Sequence, residues 1–158
     1  MKKDYFSKIR VLDGGMGQTL LANGLEPTGS LWSATALIEE KHHQLVVDTH
    51  LQFIRSGVDV IVTNNFSARR LRMKQNNVEE KFDYANKKAG ELALKAREVS
   101  KKDILIAGSL PAQNDTYVSD VRDKSIIEKG FYDQAVLLKP FVDFYYLDVL
   151  SAIKECEI

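Results

Sequence analysis

Apolar positions along the chain fall into two alternating rhythms. Four short and nearly unbroken apolar runs, at residues 9–13, 59–65, 103–110 and 142–149, read as strands. Their starts lie about 40 to 50 residues apart, which suits strand–helix units and is too long for hairpins. The second run, Val58-Asp59-Val60-Ile61-Val62-Thr63, is rich in β-branched residues and nearly continuous, as expected of a parallel strand covered on both faces. Helical spacing fills the gaps. Between 39 and 56, Val46, His50, Phe53 and Ile54 share one face, and Gly57 supplies the stop. Between 79 and 99, Phe82, Ala85, Ala89, Leu92, Ala96 and Val99 form a stripe. Ser125 with Glu128 predicts a capping box for a helix buried through Ile127, Phe131 and Leu138 and ended by Pro140. Ser151 predicts the cap of a last helix. The pattern as a whole predicts an α/β chain built on a parallel sheet.

Breaks in this pattern locate the candidate chemistry. The first run ends in one carboxylate followed by three glycines within four residues, Asp13-Gly14-Gly15-Met16-Gly17. Two readings stand side by side: a plain tight turn closed by an aspartate, or a loop whose uncovered amides hold an anion while Asp13 accepts from an amine. The fourth run ends in a second carboxylate, Asp148. Two long connections, 17–38 and 111–124, also follow strand ends, and in parallel α/β proteins ligands bind at that face. A phosphate cradle is disfavoured, because no Lys-Ser/Thr pair follows the glycines and Asp13 would repel the phosphate.

Composition narrows the picture further. With 158 residues and 44% hydrophobic content, the chain has one domain's length and the material for a core. Lys+Arg and Asp+Glu are both 22, so no general charge favours nucleic acid or an anionic membrane. The N-terminal run is charged and lacks a signal-peptide apolar segment, and no apolar run approaches the ~20 residues of a membrane span, so a cytoplasmic protein is expected. The single cysteine, Cys156, forms no internal disulfide and no closed zinc site alone. His50, on an apolar stripe, is expected to be a packing histidine with its hydrogen bonds satisfied.

Val11-Leu12-Asp13-Gly14-Gly15-Met16-Gly17 resembles the opening signature of the homocysteine S-methyltransferases, the family that includes betaine–homocysteine methyltransferase and the homocysteine module of methionine synthase. Leu31-Trp32-Ser33-Ala34, Gly57-Val58-Asp59-Val60-Ile61-Val62-Thr63-Asn64, Ala107-Gly108-Ser109-Leu110-Pro111 and Val142-Asp143-Phe144-Tyr145-Tyr146-Leu147-Asp148 are similar, in order, to that family's following segments. In the last of these the family usually carries Glu where this chain has Asp148.

The resemblance implies that residues 1–158 are the N-terminal half of a (β/α)8 barrel, ending within the helix after the fourth strand. It further implies binding of homocysteine for zinc-dependent methyl transfer to give methionine. By position, Asp13 and Asp148 take the substrate ammonium, and the Gly14 and Gly15 amides its carboxylate. Thr63, Asn64 and Ser109 line the same pocket or satisfy its backbone. Trp32 and Tyr117 cover a methyl donor or pack at the rim. No residue of this chain is assigned a catalytic or metal-ligand role, since the family's zinc is held by three cysteines from its later strands. The expected partners are homocysteine and a methyl donor, with S-methylmethionine, S-adenosylmethionine, betaine and methylfolate or methylcobalamin all open. Alone, the chain is expected to be inactive. It is read as completed by a C-terminal half chain, as self-associating, or as a remnant of a truncated gene.

Overall fold

The computed structural model describes residues 4–158, so Met1–Lys3 of the charged N-terminal run lie outside the described residues. Besides short 3-10 turns, the α-helices and strands follow in order: α1 (Met16–Ala22), α2 (Thr35–Ile38), α3 (His43–Arg55), β1 (Val60–Val62), α4 (Arg70–Gln75), α5 (Phe82–Ser100), β2 (Leu105–Pro111), α6 (Lys124–Leu138), β3 (Phe144–Asp148) and α7 (Ile153–Cys156). The strands form one parallel sheet in the order β1-β2-β3. Val60 pairs with Leu105 and Ile61 with Ile106; Ala107 then pairs with Phe144, and Pro111 with Asp148. Each strand reaches the next through helix, as the spacing predicted. No helix among the described residues is long and apolar enough to cross a membrane.

The core lies between this sheet and α3 and α5. Ile61 and Ile106 point into it from the sheet, and Val46, Val47, Ile54, Phe82, Ala85, Ala89 and Ala96 meet them from the helices. Alanine dominates the inward stripe of α5; it is the strongest helix former, and its small side chain lets the helix lie close to the sheet. Gly57 ends α3 at φ +96°, a conformation that other residues rarely adopt.

Several local expectations give way to stronger partners. The run at 9–13 lies parallel beside β1 but makes only one bridge, Leu12 to Val60. Carboxylates replace the ladder on either side of it: Val11 N–H donates to Asp59 Oδ2 at 2.9 Å, and Val62 N–H donates to Asp13 Oδ2 at 2.9 Å. β1 is therefore flanked on both sides, and the exposed edge lies at β3, where Tyr145, Tyr146 and Leu147 are 37–48% exposed. The Ser125 capping box does not form, because α6 begins at Lys124, with Asp123 at the N-cap position, two residues earlier than a cap at Ser125 requires. Ser151 is likewise not the cap of α7. There the Glu155 carboxylate turns back to accept from the Ser151 and Ala152 N–H groups, both at 3.0 Å. Val99 leaves the α5 stripe and is 56% exposed. His50 is fully buried on α3, but both its ring nitrogens lack a hydrogen-bond partner. Burial pushes its pKa down to about 3.

Candidate functional site

At the carboxyl ends of the strands a cavity of about 680 Å³ opens among the glycine loop, the ends of β1 and β3, and the two long connections. That size falls within the range of small-molecule sites. Asp13 enters it from the first segment. With Oδ2 tied to the Val62 N–H, the carboxyl group is held in place while Oδ1 has no protein donor among the described residues. Asp148 enters from the end of β3, held by the Ser109 hydroxyl, which donates to its Oδ2 at 2.7 Å.

Neither carboxylate meets a lysine or arginine within ion-pair distance among the described residues, and both are substantially buried. Burial pushes Asp13 up to about 7 against the pull of backbone N–H groups, and the nearby Asp148 charge pushes the same way. Burial also raises Asp148, with the Ser109 hydrogen bond opposing it. Two acids drawn out of water without a cation are matched by an incoming cation. Beside them, the Gly14 and Gly15 N–H groups meet no backbone or side-chain acceptor among the described residues. One wall of the cavity therefore accepts positive charge while its neighbour offers bare amides.

A buried amide network fixes these strand ends. Gln113 donates to Gln134 at 2.8 Å, Gln134 to Asn86 at 3.0 Å, and Asn65 to both Asn86 and the Ser109 carbonyl at 3.1 and 3.0 Å. Thr63 closes it, its hydroxyl donating to Asn65 Oδ1 at 2.6 Å and accepting the Ser109 N–H at 3.0 Å. Satisfied networks of this kind make a buried polar region rigid. Asn64 turns the other way and donates to the Ser33 carbonyl at 3.1 Å, tying β1 to the segment that carries Trp32.

Trp32 stands over the glycine loop. A Cβ on Gly17 would come within 2.7 Å of its indole ring, so that glycine is required by close approach. Trp32 has φ +49°, Tyr117 φ +66° and Val149 φ +54°, and all three line the cavity. Left-handed conformations at non-glycine residues cost about 1–3 kcal/mol each and gather at functional sites.

Of the residues singled out from sequence, Asp13, Gly14, Gly15, Thr63, Asn64, Asp148, Trp32 and Tyr117 all line this one cavity. Ser109 does not; it is fully buried behind Asp148 and reaches the cavity only through that carboxylate. Sequence reasoning missed Arg69 and Arg72, which also line the cavity. The signal was present in Arg69-Arg70-Leu71-Arg72, three arginines within four residues just after a strand end. No group of three His, Cys, Asp or Glu side chains among the described residues is placed to hold a metal ion. Cys156 is exposed on α7 and borders a separate groove.

Fold and cavity together define a parallel α/β protein with a ligand site at the carboxyl ends of its strands, the placement typical of barrel enzymes. The family model described as homocysteine S-methyltransferase matches residues 10–158, and the chain belongs to that family. It is similar to homocysteine S-methyltransferase 2 of Zea mays, with 32% identity over 147 residues, covering 85% of this chain and 41% of that protein. It is also similar to the S-methylmethionine–homocysteine S-methyltransferase BHMT2 of Pongo abelii, with 34% identity over 150 residues, covering 94% and 38%. Among solved structures it matches the metallated form of the Escherichia coli homocysteine methyltransferase MmuM, with TM-score 0.82, 26% identity and coverage of 98% of this chain and 59% of that one. The chain thus spans about two fifths of the length of these sequence relatives. Its fold is the expected one: parallel strand–helix units of a (β/α)8 barrel, amounting to about half of the solved neighbour.

Proposed function

We propose that the cavity binds homocysteine as the methyl acceptor of a thiol S-methyltransferase, and that residues 1–158 correspond to the N-terminal half of the barrel that performs the reaction. The observation that carries this reading is the pair Asp13 and Asp148, two half-buried carboxylates without an ion-pair partner among the described residues, beside the bare Gly14 and Gly15 amides. An α-amino acid zwitterion is complementary to that arrangement. Its ammonium discharges the two acids, and its carboxylate takes the amides. Thr63 and Asn64 shape the wall between them, and Ser109 positions Asp148. Asp148 has one methylene fewer than the glutamate usual in the family, so the Ser109 hydrogen bond sets where its shorter carboxylate stands.

Methyl transfer also requires the substrate thiol as thiolate, since a free thiol with pKa ~8.5 is largely protonated at neutral pH. In the family resemblance, zinc supplies that activation. The donor set described here does not fit zinc, because no cluster of three ligating side chains surrounds the cavity among the described residues. The chemistry assigned to these residues is therefore binding and orientation, which sets the thiol against a donor methyl. Trp32 offers an aromatic face suited to a methylated onium group.

Calorimetric titration of the chain with L-homocysteine, L-methionine and ATP tests the reading. Saturable binding of the two amino acids, abolished in Asp13→Asn, is the expected result. Binding of ATP in preference to the amino acids would overturn it.

A further inference from the structure

The connection after β2 is held to the rest of the molecule at few points. Gln113 locks its start into the buried amide network. Beyond that, residues 114–122 hydrogen-bond to other segments only through two arginines among the described residues. Arg69 Nη2 donates to Thr116 Oγ1 at 3.1 Å, and Arg72 Nη2 donates to Asp115 Oδ1 at 3.4 Å. Asp120 is buried, but its hydrogen bonds are internal to the stretch, all to Arg122. Apolar packing lends little more, since Tyr117, Val118 and Val121 are 54–89% exposed.

The same short segment, 69–76, also reaches the other long connection. Arg72 Nη1 donates to the Ser30 carbonyl at 3.4 Å. One turn on, Asn76 accepts the Ser30 N–H at 3.1 Å and donates to the Ser30 hydroxyl at 2.8 Å. Ser30 stands two residues before Trp32, and Thr116 stands directly before Tyr117. No hydrogen bond among the described residues joins the two connections to each other. They meet only through the arginines. Arg69 is 2% exposed, and its Nη1 donates to the Ala112 carbonyl at 2.8 Å, so one guanidinium spans 112–116. The planar fork suits that task, where a lysine would present a single flexible ammonium. Arg70 faces elsewhere and pairs with Asp133 of α6.

We propose that Arg69 and Arg72 are positioning residues of the cavity mouth. They tether 114–122 and the Ser30 segment to one short stretch of chain, which keeps Tyr117 and Trp32 at the cavity and slows the escape of its occupant. A segment tied by so few bonds opens locally at low cost once they are cut. Such a tether acts on any occupant, so it stands apart from the assignment of homocysteine.

Nitrogen-15 relaxation of the full, ligand-free chain tests the tether. Wild-type order parameters over 114–122 are expected near the rigid value of ~0.85, falling below ~0.6 in Thr116→Val and Asp115→Ala. Thr116→Ser keeps the acceptor for Arg69 and should match wild type, whereas a role in packing alone would favour Val over Ser. Trp32 is the one tryptophan of the chain, so its indole N–H gives a single resonance. Arg72→Met should loosen 114–122 and shift that resonance as well, because it releases both connections. Asp115 does not line the cavity, yet Asp115→Ala should speed the dissociation of L-homocysteine roughly five- to twentyfold, with association changed less. Order parameters already below ~0.6 in wild type, or unchanged in both loop variants, would overturn the tether. So would a Thr116→Ser chain as loose as Thr116→Val, or unchanged homocysteine dissociation in Asp115→Ala. Failure of wild type to bind homocysteine, with the relaxation results as expected, would overturn the acceptor reading and leave the tether standing.

Discussion

The two ends of the parallel sheet hold the same residue type in opposite circumstances. At the amino ends, Asp59 and Asp143 each accept a backbone N–H from the neighbouring segment, from Val11 at 2.9 Å and Ile106 at 2.7 Å, and each is paired with an arginine, Arg10 at 3.3 Å and Arg97 at 2.7 Å. At the carboxyl ends, Asp13 accepts the Val62 N–H in the same manner and Asp148 accepts the Ser109 hydroxyl, but neither has an arginine or lysine partner among the described residues. Geometry does not distinguish the two sets; the counter-charge does. Where the protein supplies the cation, the carboxylate stitches strands together. Where it withholds the cation, the carboxylate is left to meet one from solution. Arg69 is the mirror image, a cation with no carboxylate partner among the described residues.

Removing one charge from the unpaired end should have the largest effect. Asp13→Asn keeps an acceptor for the Val62 N–H, so the fold should survive while affinity for L-homocysteine falls at least about a hundredfold, as when a buried charged partner is lost. Titration of wild type near pH 7 should also release protons, because an incoming ammonium drives Asp13 down from about 7. Repeating the titration in buffers of different ionisation enthalpy measures that release, and a buffer-independent enthalpy contradicts the assignment.

Stability against pH gives the next contrast. Asp13 is raised in the folded state, so the stability it contributes is full below about pH 4 and is lost as pH rises through about 7, a swing of roughly 2–4 kcal/mol. His50 acts in the opposite sense. Lowered to about 3, it contributes stability that is full above about pH 6.5 and lost as pH falls. Urea melts from pH 4.5 to 8 should lose the alkaline decline in Asp13→Asn and the acid decline in His50→Leu. Equal pH profiles for all three proteins would refute both assignments.

The paired end should respond in stability alone. Asp143→Ala removes the acceptor of both the Ile106 N–H and Arg97 and is expected to cost about 1–2 kcal/mol with ligand affinity within twofold of wild type. Loss of affinity without loss of stability would erase the distinction between the two ends. Gly17→Ala forces a methyl to within 2.7 Å of the Trp32 ring and should cost about 1–3 kcal/mol, with weaker binding of an onium donor than of homocysteine. The mildest change is Ser109→Ala, which frees the Asp148 carboxylate and should weaken homocysteine only a few-fold. A loss as large as that of Asp13→Asn would mean that Ser109 itself touches the ligand.

Much of this contrast was legible in the chain. Aspartates that end apolar runs, together with the glycine loop and the long connections after strand ends, marked one face, and Asp13 and Asp148 do meet in one cavity there. Strand and helix positions followed from apolar period because the core is one layer of helices on one sheet face. What escaped was set by partners distant in sequence. The 9–13 run has the composition of a strand and keeps backbone bonds to Asp59 and Val60, but the Asp59 and Asp13 side chains take two of the rungs beside them, and apolar period does not register that competition. Ser125 falls inside α6, which starts at Lys124, so it stands in no position to cap it. Ser109 looked like a lining residue because it ends a strand, and only the pairing of β2 with β3 puts Asp148 in front of it. Arg69 was unremarkable as one arginine among three; its significance depends on Asp133 and Asp115, 63 and 43 residues away from the arginines they neutralise.

The bond between Asp13 Oδ2 and the Val62 amide has a further consequence. The carboxylate proposed to receive the ligand ammonium is also a rung of the sheet, so on that reading ligand charge is written directly onto a backbone proton. When an ammonium shares the carboxylate, the Val62 amide faces a weaker acceptor, and its resonance and its exchange with solvent deuterium change together. If the proposed ammonium clamp holds, the Val62 amide is an internal reporter of occupancy two residues before the Asn64 that grips the Trp32 segment, readable in the unmodified chain without label or coupled assay.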